Sequence, residues 1–285
     1  TYLDKPEVFL RTPDQHWREI SGWTAQVAAM KEPSPVRRSV DLPDGAPVPR
    51  KNLIDEYIFG RMERDGVRPA PLSNDQEFLR RVYLDLTGRI PSVEQFRSFF
   101  HDANPGKRDE VIDSLIGTEE FIDKWAMFFG DLFRNDGPST NVNRYLQGRD
   151  AFYAYLKDAV SLNKPYDRMA QEIIGATGDT FENGPANWVV GGTVSMGPIQ
   201  DTYDGQSVNL AQMFLGINAV DCLLCHDGKR HLDNINLWGK QQKRSDMWGL
   251  SAFFARTRMQ RQVITQDPLL AKYIVSDMIS GEYFL

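Results

Sequence analysis

The sequence predicts an all-α fold, and three observations lead to that prediction. Apolar residues recur with a 3.6-residue period through much of the chain between residues 53 and 133. Helix start and stop signals separate these segments, and no segment shows the sustained apolar–polar alternation of a half-buried strand. A composition of 41% apolar and 25% charged residues is typical of soluble globular proteins. We therefore expect an irregular multi-helix domain with a long glycine-rich loop and an extended N-terminal arm.

The first part of the chain, residues 1–50, is predicted to be an arm followed by a proline-rich linker. Its apolar residues, among them Trp17 and Trp23, keep no clear period. Each proline fixes φ and removes a backbone donor, so a run of prolines favours extended chain. The prolines of this linker are Pro33, Pro35, Pro43, Pro47 and Pro49.

Five helices are predicted between residues 53 and 133. The first carries Leu53 and Tyr57 on one face, and the next two begin at the capping boxes Ser73–Gln76 and Ser92–Gln95. A fourth runs through residues 111–117. Thr118 caps a fifth helix, whose wide aromatic face predicts burial at the centre of the core.

The second half of the chain is predicted to contain shorter helices around a long loop. Helices are expected near residues 150–160 and 167–175, at 208–216, after Ser245 and in the tail beyond Pro268. Residues 176–205 contain six glycines, which predicts an irregular loop of a length that is uncommon and often functional. We divide the chain into an arm with linker (1–50), a helical domain (51–258) and a C-terminal helical extension (259–285).

Charge and cysteine content exclude several classes of protein. The chain holds 33 basic and 39 acidic residues, a net charge of −6, whereas nucleic-acid binders normally carry a basic face. Two cysteines are too few for a disulfide-rich scaffold. No apolar run approaches the roughly 18 residues that a membrane-spanning helix requires, so we expect no transmembrane span.

The two cysteines form a motif with a specific chemistry, Cys222-Leu223-Leu224-Cys225-His226. Cys-x-x-Cys-His is the attachment pattern for a c-type haem. Cysteines three apart on one helical turn can each reach one vinyl-derived carbon on the same porphyrin edge, and the next residue can supply the proximal iron ligand. The sequence therefore predicts one covalently attached haem c, with thioethers from Cys222 and Cys225 and iron ligation by His226.

Three other interpretations of the motif stay open. A thioredoxin-like redox pair normally lies in a βαβ unit, which this sequence does not offer. A structural zinc site would need four ligands, and Cys222, Cys225, His226 and His231 are cramped in spacing. A chance occurrence of the pattern is the third alternative.

The sixth iron ligand is not determined by the motif. His231 is near in sequence, but the intervening chain, at about 3.3–3.6 Å per residue, would be nearly taut around the porphyrin rim. The other candidates are His16 on the arm and a thioether from Met213, Met247 or Met259. An open sixth position is a further alternative.

A basic cluster surrounds the motif in an otherwise acidic chain. It could neutralise haem propionates, dock an anionic partner, or form a solvated loop. Its members are Lys229, Arg230, Lys240, Lys243 and Arg244.

Several further motifs occur in order along the chain. They are residues 81–91 (RVYLDLTGRIP), 163–167 (NKPYD), 214–216 (FLG) and 251–254 (SAFF). Together with Cys-x-x-Cys-His they resemble the planctomycete cytochrome-like domain family, secreted bacterial proteins with a domain of unknown function. The resemblance covers roughly residues 50–258 and includes Cys222, Cys225 and His226 residue by residue.

The resemblance implies a periplasmic or otherwise extracytoplasmic location. Many members carry a second histidine two positions after the motif; here His231 is displaced by several residues, so that feature is not carried over. Members often continue into another domain, so a further domain could follow Leu285. Electron transfer and polysaccharide breakdown are the roles suspected for the family.

From these residues and this resemblance we expect an extracytoplasmic monohaem c-type cytochrome domain that passes single electrons. Its expected partners are redox proteins, within a larger membrane-associated or extracellular complex. No carboxylates stand in a spacing that demands acid–base catalysis, which favours an electron-transfer protein over an enzyme. Two alternatives stay open: a peroxidase-like haem enzyme with an exchangeable sixth site, and a structural or assembly module linked to polysaccharide breakdown.

Overall fold

The computed structural model describes residues 50–70, 72–137, 144–194 and 197–284, and within them the chain is mostly helical. These residues form eleven α-helices, numbered in chain order: α1 Leu53–Arg64, α2 Asp75–Thr87, α3 Val93–His101, α4 Lys107–Leu115, α5 Glu119–Leu132, α6 Leu146–Ser161, α7 Tyr166–Ile174, α8 Asn187–Val190, α9 Ile199–Phe214, α10 Val220–Cys225 and α11 Arg244–Ala252. They also form three strands, β1 Gly178–Asp179, β2 Thr257–Gln266 and β3 Leu269–Asp277.

The chain divides into two compact units, Thr1–Phe78 and Leu79–Leu285. The predicted arm and the candidate ligand His16 lie outside the described residues. In neither unit does any described helix combine the length and the apolar character needed to cross a membrane.

In the first unit, α1 confirms the first predicted helix. The side chain of Asn52 caps it by accepting a hydrogen bond from the backbone N–H of Asp55 at 3.0 Å. Arg50 forms ion pairs with Glu56 at 2.8 Å and Glu63 at 2.6 Å, so the residue before the helix is tied to both its first and its last turn.

Helices α3 and α5 begin where the sequence predicts. Ser92 and Gln95 make both bonds of a capping box, and Thr118 accepts from the backbone N–H of Phe121 at 3.3 Å. Helix α2 differs by one residue, since Asn74 accepts from the backbone N–H of Glu77 at 2.8 Å and serves as its cap. Asn and Ser are about equally good caps, so a pattern with both adjacent leaves the start ambiguous.

The main core is formed by α5, α6, α7 and α9 around aromatic side chains. Phe133 is only 1% exposed and stacks on Phe152 and Phe214, with ring centroids 6.2 and 5.3 Å away. The aromatic face predicted for α5 is buried only in part, because Phe128 remains 50% exposed. Packing of these rings contributes apolar burial to the second unit.

The predicted glycine-rich loop is shorter and more ordered than expected. Residues 184–190 form a 3₁₀ turn followed by α8, and all seven are buried. Gly184 allows this turn to lie against α6, because a Cβ there would come within 2.8 Å of the carbonyl carbon of Ala151 and 3.0 Å of the Cα of Phe152. Helix α9 begins at Ile199, nine residues before the predicted start at Val208. The glycines of residues 176–205 predicted a loop, but the first turns of α9 include Gly205 and bury polar residues such as Thr202 and Gln206.

A buried arginine holds the end of α5 against α8. Arg144 is 4% exposed, and its guanidinium donates to the main-chain carbonyls of Asp136 at 3.3 Å and Asn187 at 2.8 Å, and to that of Arg134. Burial lowers the pKa of Arg144 to about 10, so the group stays charged at neutral pH. The three carbonyl groups therefore receive charge-assisted hydrogen bonds.

The all-α prediction is wrong at the C-terminal end of the described chain. Instead of a helical extension, β2 and β3 form an antiparallel hairpin, and β1 completes a three-stranded sheet in the order β1-β3-β2. Strand β2 is polar and largely exposed, and β3 is partly covered on both sides, so neither shows the alternation that identifies a half-buried strand. Val275 on β3 joins the main core, which anchors the sheet to the helices.

Candidate functional site

The cysteine motif lies on α10, a six-residue helix with one buried face. Val220 and Leu223 are 1% and 0% exposed and belong to a second apolar cluster, completed by Ala211, Ala219, Leu232 and Met247. Cys222 and Cys225 are both exposed, and neither forms a disulfide. On a 3.6-residue period the cysteines fall on the opposite side of the helix from Val220, so the helix holds two free thiols outward from a packed face.

The surroundings of Cys222 keep its thiol protonated. Asp221 accepts a hydrogen bond from the backbone N–H of Cys222 at 2.8 Å. Partial desolvation, together with the Asp221 carboxylate, raises the pKa of the Cys222 thiol above its ordinary value. A thioredoxin-like nucleophile needs a lowered pKa, so the raised pKa of Cys222 does not favour a redox pair at this position.

His226 ends α10 with an imidazole oriented by the backbone. Its φ and ψ of −154° and 163° are extended, and its Nδ1 lies 3.2 Å from the carbonyl oxygen of Asp227. A carbonyl oxygen can only accept, so Nδ1 carries the proton when this hydrogen bond forms. The lone pair of Nε2 is then available to a metal, which is the tautomer that an iron ligand requires.

Asp227 and Arg244 connect the end of α10 to the start of α11. The Asp227 carboxylate accepts from the backbone N–H of Arg244 at 2.8 Å, and the Arg244 side chain donates to the carbonyl of Cys225 at 3.3 Å. The guanidinium also lies over the Trp248 ring, 4.3 Å from its centroid. The sequence analysis missed the role of Asp227, and an acidic residue directly after the motif was the signal that could have found it.

The loop after the motif is fixed by a close approach of two backbone segments. The backbone N–H of Gly228 donates to the carbonyl of Gln242 at 3.0 Å. A Cβ at Gly228 would lie 2.7 Å from the carbonyl carbon of Gly239 and 3.0 Å from the Cα of Lys240, closer than real Cβ contacts allow. A glycine is therefore required here.

His231 is the one candidate for the sixth ligand that the described structure brings to the motif. Its ring stacks on that of His226, with centroids 4.0 Å apart and planes 28° from parallel. His226 is half-buried and His231 is exposed. The flat sides of the two imidazoles therefore face each other.

The chain matches a known protein family. A family model described as PSCyt2, protein of unknown function (DUF1549), matches residues 53–259, which is more than half of the chain. The chain belongs to this family. The matched range contains α1 to α11 and all three motif residues, and the family description leaves the activity open. Searches of curated proteins and of solved structures returned no match.

Within this PSCyt2 domain, the methionine candidates lie in apolar packing. The sulfur of Met213 accepts from the indole N–H of Trp188 at 3.1 Å in the main core, and that of Met259 from the hydroxyl of Thr193 at 3.5 Å. Met247 is 6% exposed in the second apolar cluster, which packs against the face of α10 away from the cysteines. None of these three thioethers is brought to His226 in the described structure.

An apolar cavity of about 420 Å³ lies beside the second apolar cluster of the PSCyt2 domain. Val220, Trp238, Met247 and Phe253 are among its lining residues.

Among the described residues, no group of three or more His, Cys, Asp or Glu side chains could hold a metal ion. The cramped four-ligand zinc site considered from the sequence is thus not assembled there.

Proposed function

We propose that this PSCyt2 domain is an extracytoplasmic monohaem c-type cytochrome domain that transfers single electrons. The observation that carries the proposal is the arrangement on α10. Two free, exposed thiols lie three residues apart on one face, and His226 follows them with its Nε2 free. This is the donor set that covalent haem attachment and axial ligation use.

The residues present fit a haem in their chemistry. Each thiol would add across one vinyl group, the sulfur bonding to one carbon and the hydrogen to the other, so that attachment needs no oxidant. Cys222 and Cys225 would hold the group and His226 would ligate the iron, and when bound the haem supplies one-electron redox chemistry.

The chain's own residues hold this donor set rigid. Val220 and Leu223 pack α10 into the second apolar cluster, the Asp227 carbonyl fixes the proton of His226 at Nδ1, and Arg244 joins α10 to α11. Second-sphere hydrogen bonds of this kind set the orientation and basicity of a ligand imidazole.

Surface exposure of both thiols supports electron transfer over buried chemistry. A group attached on the exposed face of α10 would have an edge at the surface, where a partner protein can approach. The basic cluster around the motif would attract acidic redox partners, even though the whole chain has a net charge of −6. We place such partners in a membrane-associated or extracellular complex, and the family resemblance supports a periplasmic or secreted location.

A second candidate function is a haem enzyme with an exchangeable sixth position. The positions of the methionine side chains favour this second function, because none of them is available as a sixth ligand. Met213 and Met259 already accept hydrogen bonds in the core, and Met247 is buried away from the cysteine face. An iron without a second protein ligand can bind peroxide or a diatomic gas.

A pyridine haemochrome assay on the full chain, produced where haem can be attached, tests the proposal. We expect a c-type spectrum, haem that survives acidified acetone, and an intact mass raised by one haem. Replacement of both Cys222 and Cys225 by Ala should abolish covalent retention, and His101→Ala is the matched control because His101 lies on α3 outside the motif. An unmodified polypeptide mass after such production would refute the proposal.

Exogenous ligands then separate the two candidates. Electron transfer is indicated if the ferrous protein does not bind carbon monoxide and the ferric protein does not bind cyanide. Rapid binding of either ligand would favour the enzyme.

A further inference from the structure

The stacked pair of His226 and His231 lies directly at the proposed haem site. Face-to-face contact at 4.0 Å between ring centroids brings the flat sides of the two imidazoles together. The Nδ1 edge of His226 is held by the Asp227 carbonyl, so one face and one edge of this ring are both occupied by the protein.

The backbone fixes the place of His231. Its N–H donates to the carbonyl of Gly228 at 3.1 Å, and the next residue, Leu232, donates to the same carbonyl at 2.8 Å. Leu232 is 6% exposed and belongs to the second apolar cluster. Gly228 lies close to the backbone of Gly239 and donates a hydrogen bond to the carbonyl of Gln242, so its own position is fixed. The turn that carries His231 is therefore also fixed within the loop.

This geometry does not suit an axial ligand on the opposite side of an iron from His226. Two imidazoles that bind one haem iron from opposite faces, each at about 2 Å, point their ligating nitrogens at each other across the metal. Stacked rings lie beside each other, so a metal at Nε2 of His226 has His231 next to its ligand and not across from it. His231 would have to leave both the stack and its turn to reach the other face of a porphyrin.

We infer that His231 is a positioning residue that sets the plane of the His226 imidazole from the same side of the haem, and that it is not the sixth iron ligand. The inference rests on the proposed function for the identity of the metal group. A flat ring at position 231 limits rotation of the His226 ring about its bond to the iron. The plane of an axial imidazole influences the electronic structure of the iron, so the stack tunes the cofactor through the ligand.

Two substitutions of His231 distinguish the effect of its flat ring from the effect of its nitrogen atoms. His231→Phe keeps a flat ring but cannot bind iron, whereas His231→Ala removes the ring. His101→Ala is the matched control, since it removes an exposed histidine on α3. His231 is exposed, so we expect all three variants to fold, which far-UV circular dichroism checks.

The first measurement is the EPR spectrum of the ferric, haem-loaded full chain, with carbon monoxide binding to the ferrous form. We expect His231→Phe to keep the wild-type spin state, EPR g-values and response to carbon monoxide. His231→Ala should keep the spin state but shift and broaden the EPR signal. A change from low spin to high spin with new carbon monoxide binding in His231→Phe would identify His231 as an axial ligand and overturn the inference.

The second measurement uses the full chain without haem. Proton NMR of the His226 ring should show an upfield ring-current shift that His231→Phe retains and His231→Ala loses. If His231→Ala matches the wild type in both measurements, or if His231→Phe behaves like His231→Ala, the stack does not position His226 and the inference fails. A chain that carries no haem in the pyridine assay refutes the proposed function, and the NMR comparison still reports on the stack separately.

Discussion

Replacement of Gly228 by Ala should destabilise the loop that follows the cysteine motif. The added Cβ would lie 2.7 Å from the carbonyl carbon of Gly239 and 3.0 Å from the Cα of Lys240. Both are main-chain atoms, so no side-chain rotation relieves the overlap. The two segments must separate, which breaks the 3.0 Å hydrogen bond from Gly228 to the carbonyl of Gln242.

The magnitude follows from three contributions. Loss of the hydrogen bond removes about 0.5–1.5 kcal/mol of stability, and overpacking removes about a further 1–3 kcal/mol. The methyl group restricts the unfolded chain and returns about 0.4–1 kcal/mol. We therefore expect Gly228→Ala to lower the free energy of unfolding by about 2 kcal/mol.

Urea denaturation followed by tryptophan fluorescence measures this change, from the midpoint and the m-value of the transition. Gly249→Ala is the matched control, because Gly249 lies inside α11 and an added Cβ meets no heavy atom within 4 Å. That control should gain about 0.5–1 kcal/mol, the usual advantage of Ala over Gly in a helix. A Gly228→Ala protein as stable as the wild type, with the same m-value, would contradict the packing described for this loop.

Two further predictions concern charged groups outside the motif. Arg144→Met should lower the free energy of unfolding by about 3 kcal/mol, because one buried and two partly buried main-chain carbonyls lose their charge-assisted donor; a change below about 1 kcal/mol in urea denaturation would mean that those carbonyls find other partners. Asp179→Asn tests the ion pair with Lys272. Partial desolvation by itself would raise the pKa of Asp179. Hydrogen bonds from Lys272 and from the backbone N–H of Phe181 outweigh this effect and lower the pKa below its ordinary 3.8. The carboxylate therefore stabilises the fold at neutral pH, and this contribution is lost as the pH falls below about 3.8. The wild type should exceed Asp179→Asn by about 1 kcal/mol at pH 7 and lose that advantage near pH 2; an equal difference at both pH values in thermal denaturation would speak against the pair.

Much of the helical part could be predicted because its signals are local. The capping box of Ser92 with Gln95 and the cap at Thr118 both form as predicted. Gly88 and Gly117 end helices with positive φ values of 71° and 84°, where glycine is favoured. Such signals depend on only a few neighbouring residues, so they can be read without knowledge of the tertiary fold.

The errors arise where burial depends on distant partners. The start of α9 was predicted to be loop because residues 176–205 are rich in glycine, and Gly205 lies inside the helix. The helix is held there by a distant partner, since the Ser207 hydroxyl is paired with that of Ser251 on α11 at 2.9 Å. The hairpin was missed since β2 is mostly polar and exposed and β3 is partly covered on both sides, so neither strand shows a regular apolar–polar alternation. The β-branched residues Val263, Ile264, Ile274 and Val275 were the signal for strands that the sequence did contain.

At the candidate site, the motif was visible in the sequence but its supports were not. Cys222, Cys225 and His226 are adjacent in the chain, so their spacing alone predicts a shared role. Arg244 reaches the carbonyl of Cys225 from 19 positions away, and the stack of His231 on His226 depends on a turn closed by Gly228. These contacts follow from the path of the loop, which local pattern does not determine.

The outward placement of Cys222 and Cys225 bears on how a mature molecule would be made. Under the proposed function, attachment of the haem could follow folding, because α10 is already packed through its other face. The same accessibility exposes the precursor to oxidation, since Cα atoms three apart on a helix are about 5 Å from each other, within the range that a disulfide spans. A supply of reductant would then decide how much of the precursor stays competent for maturation.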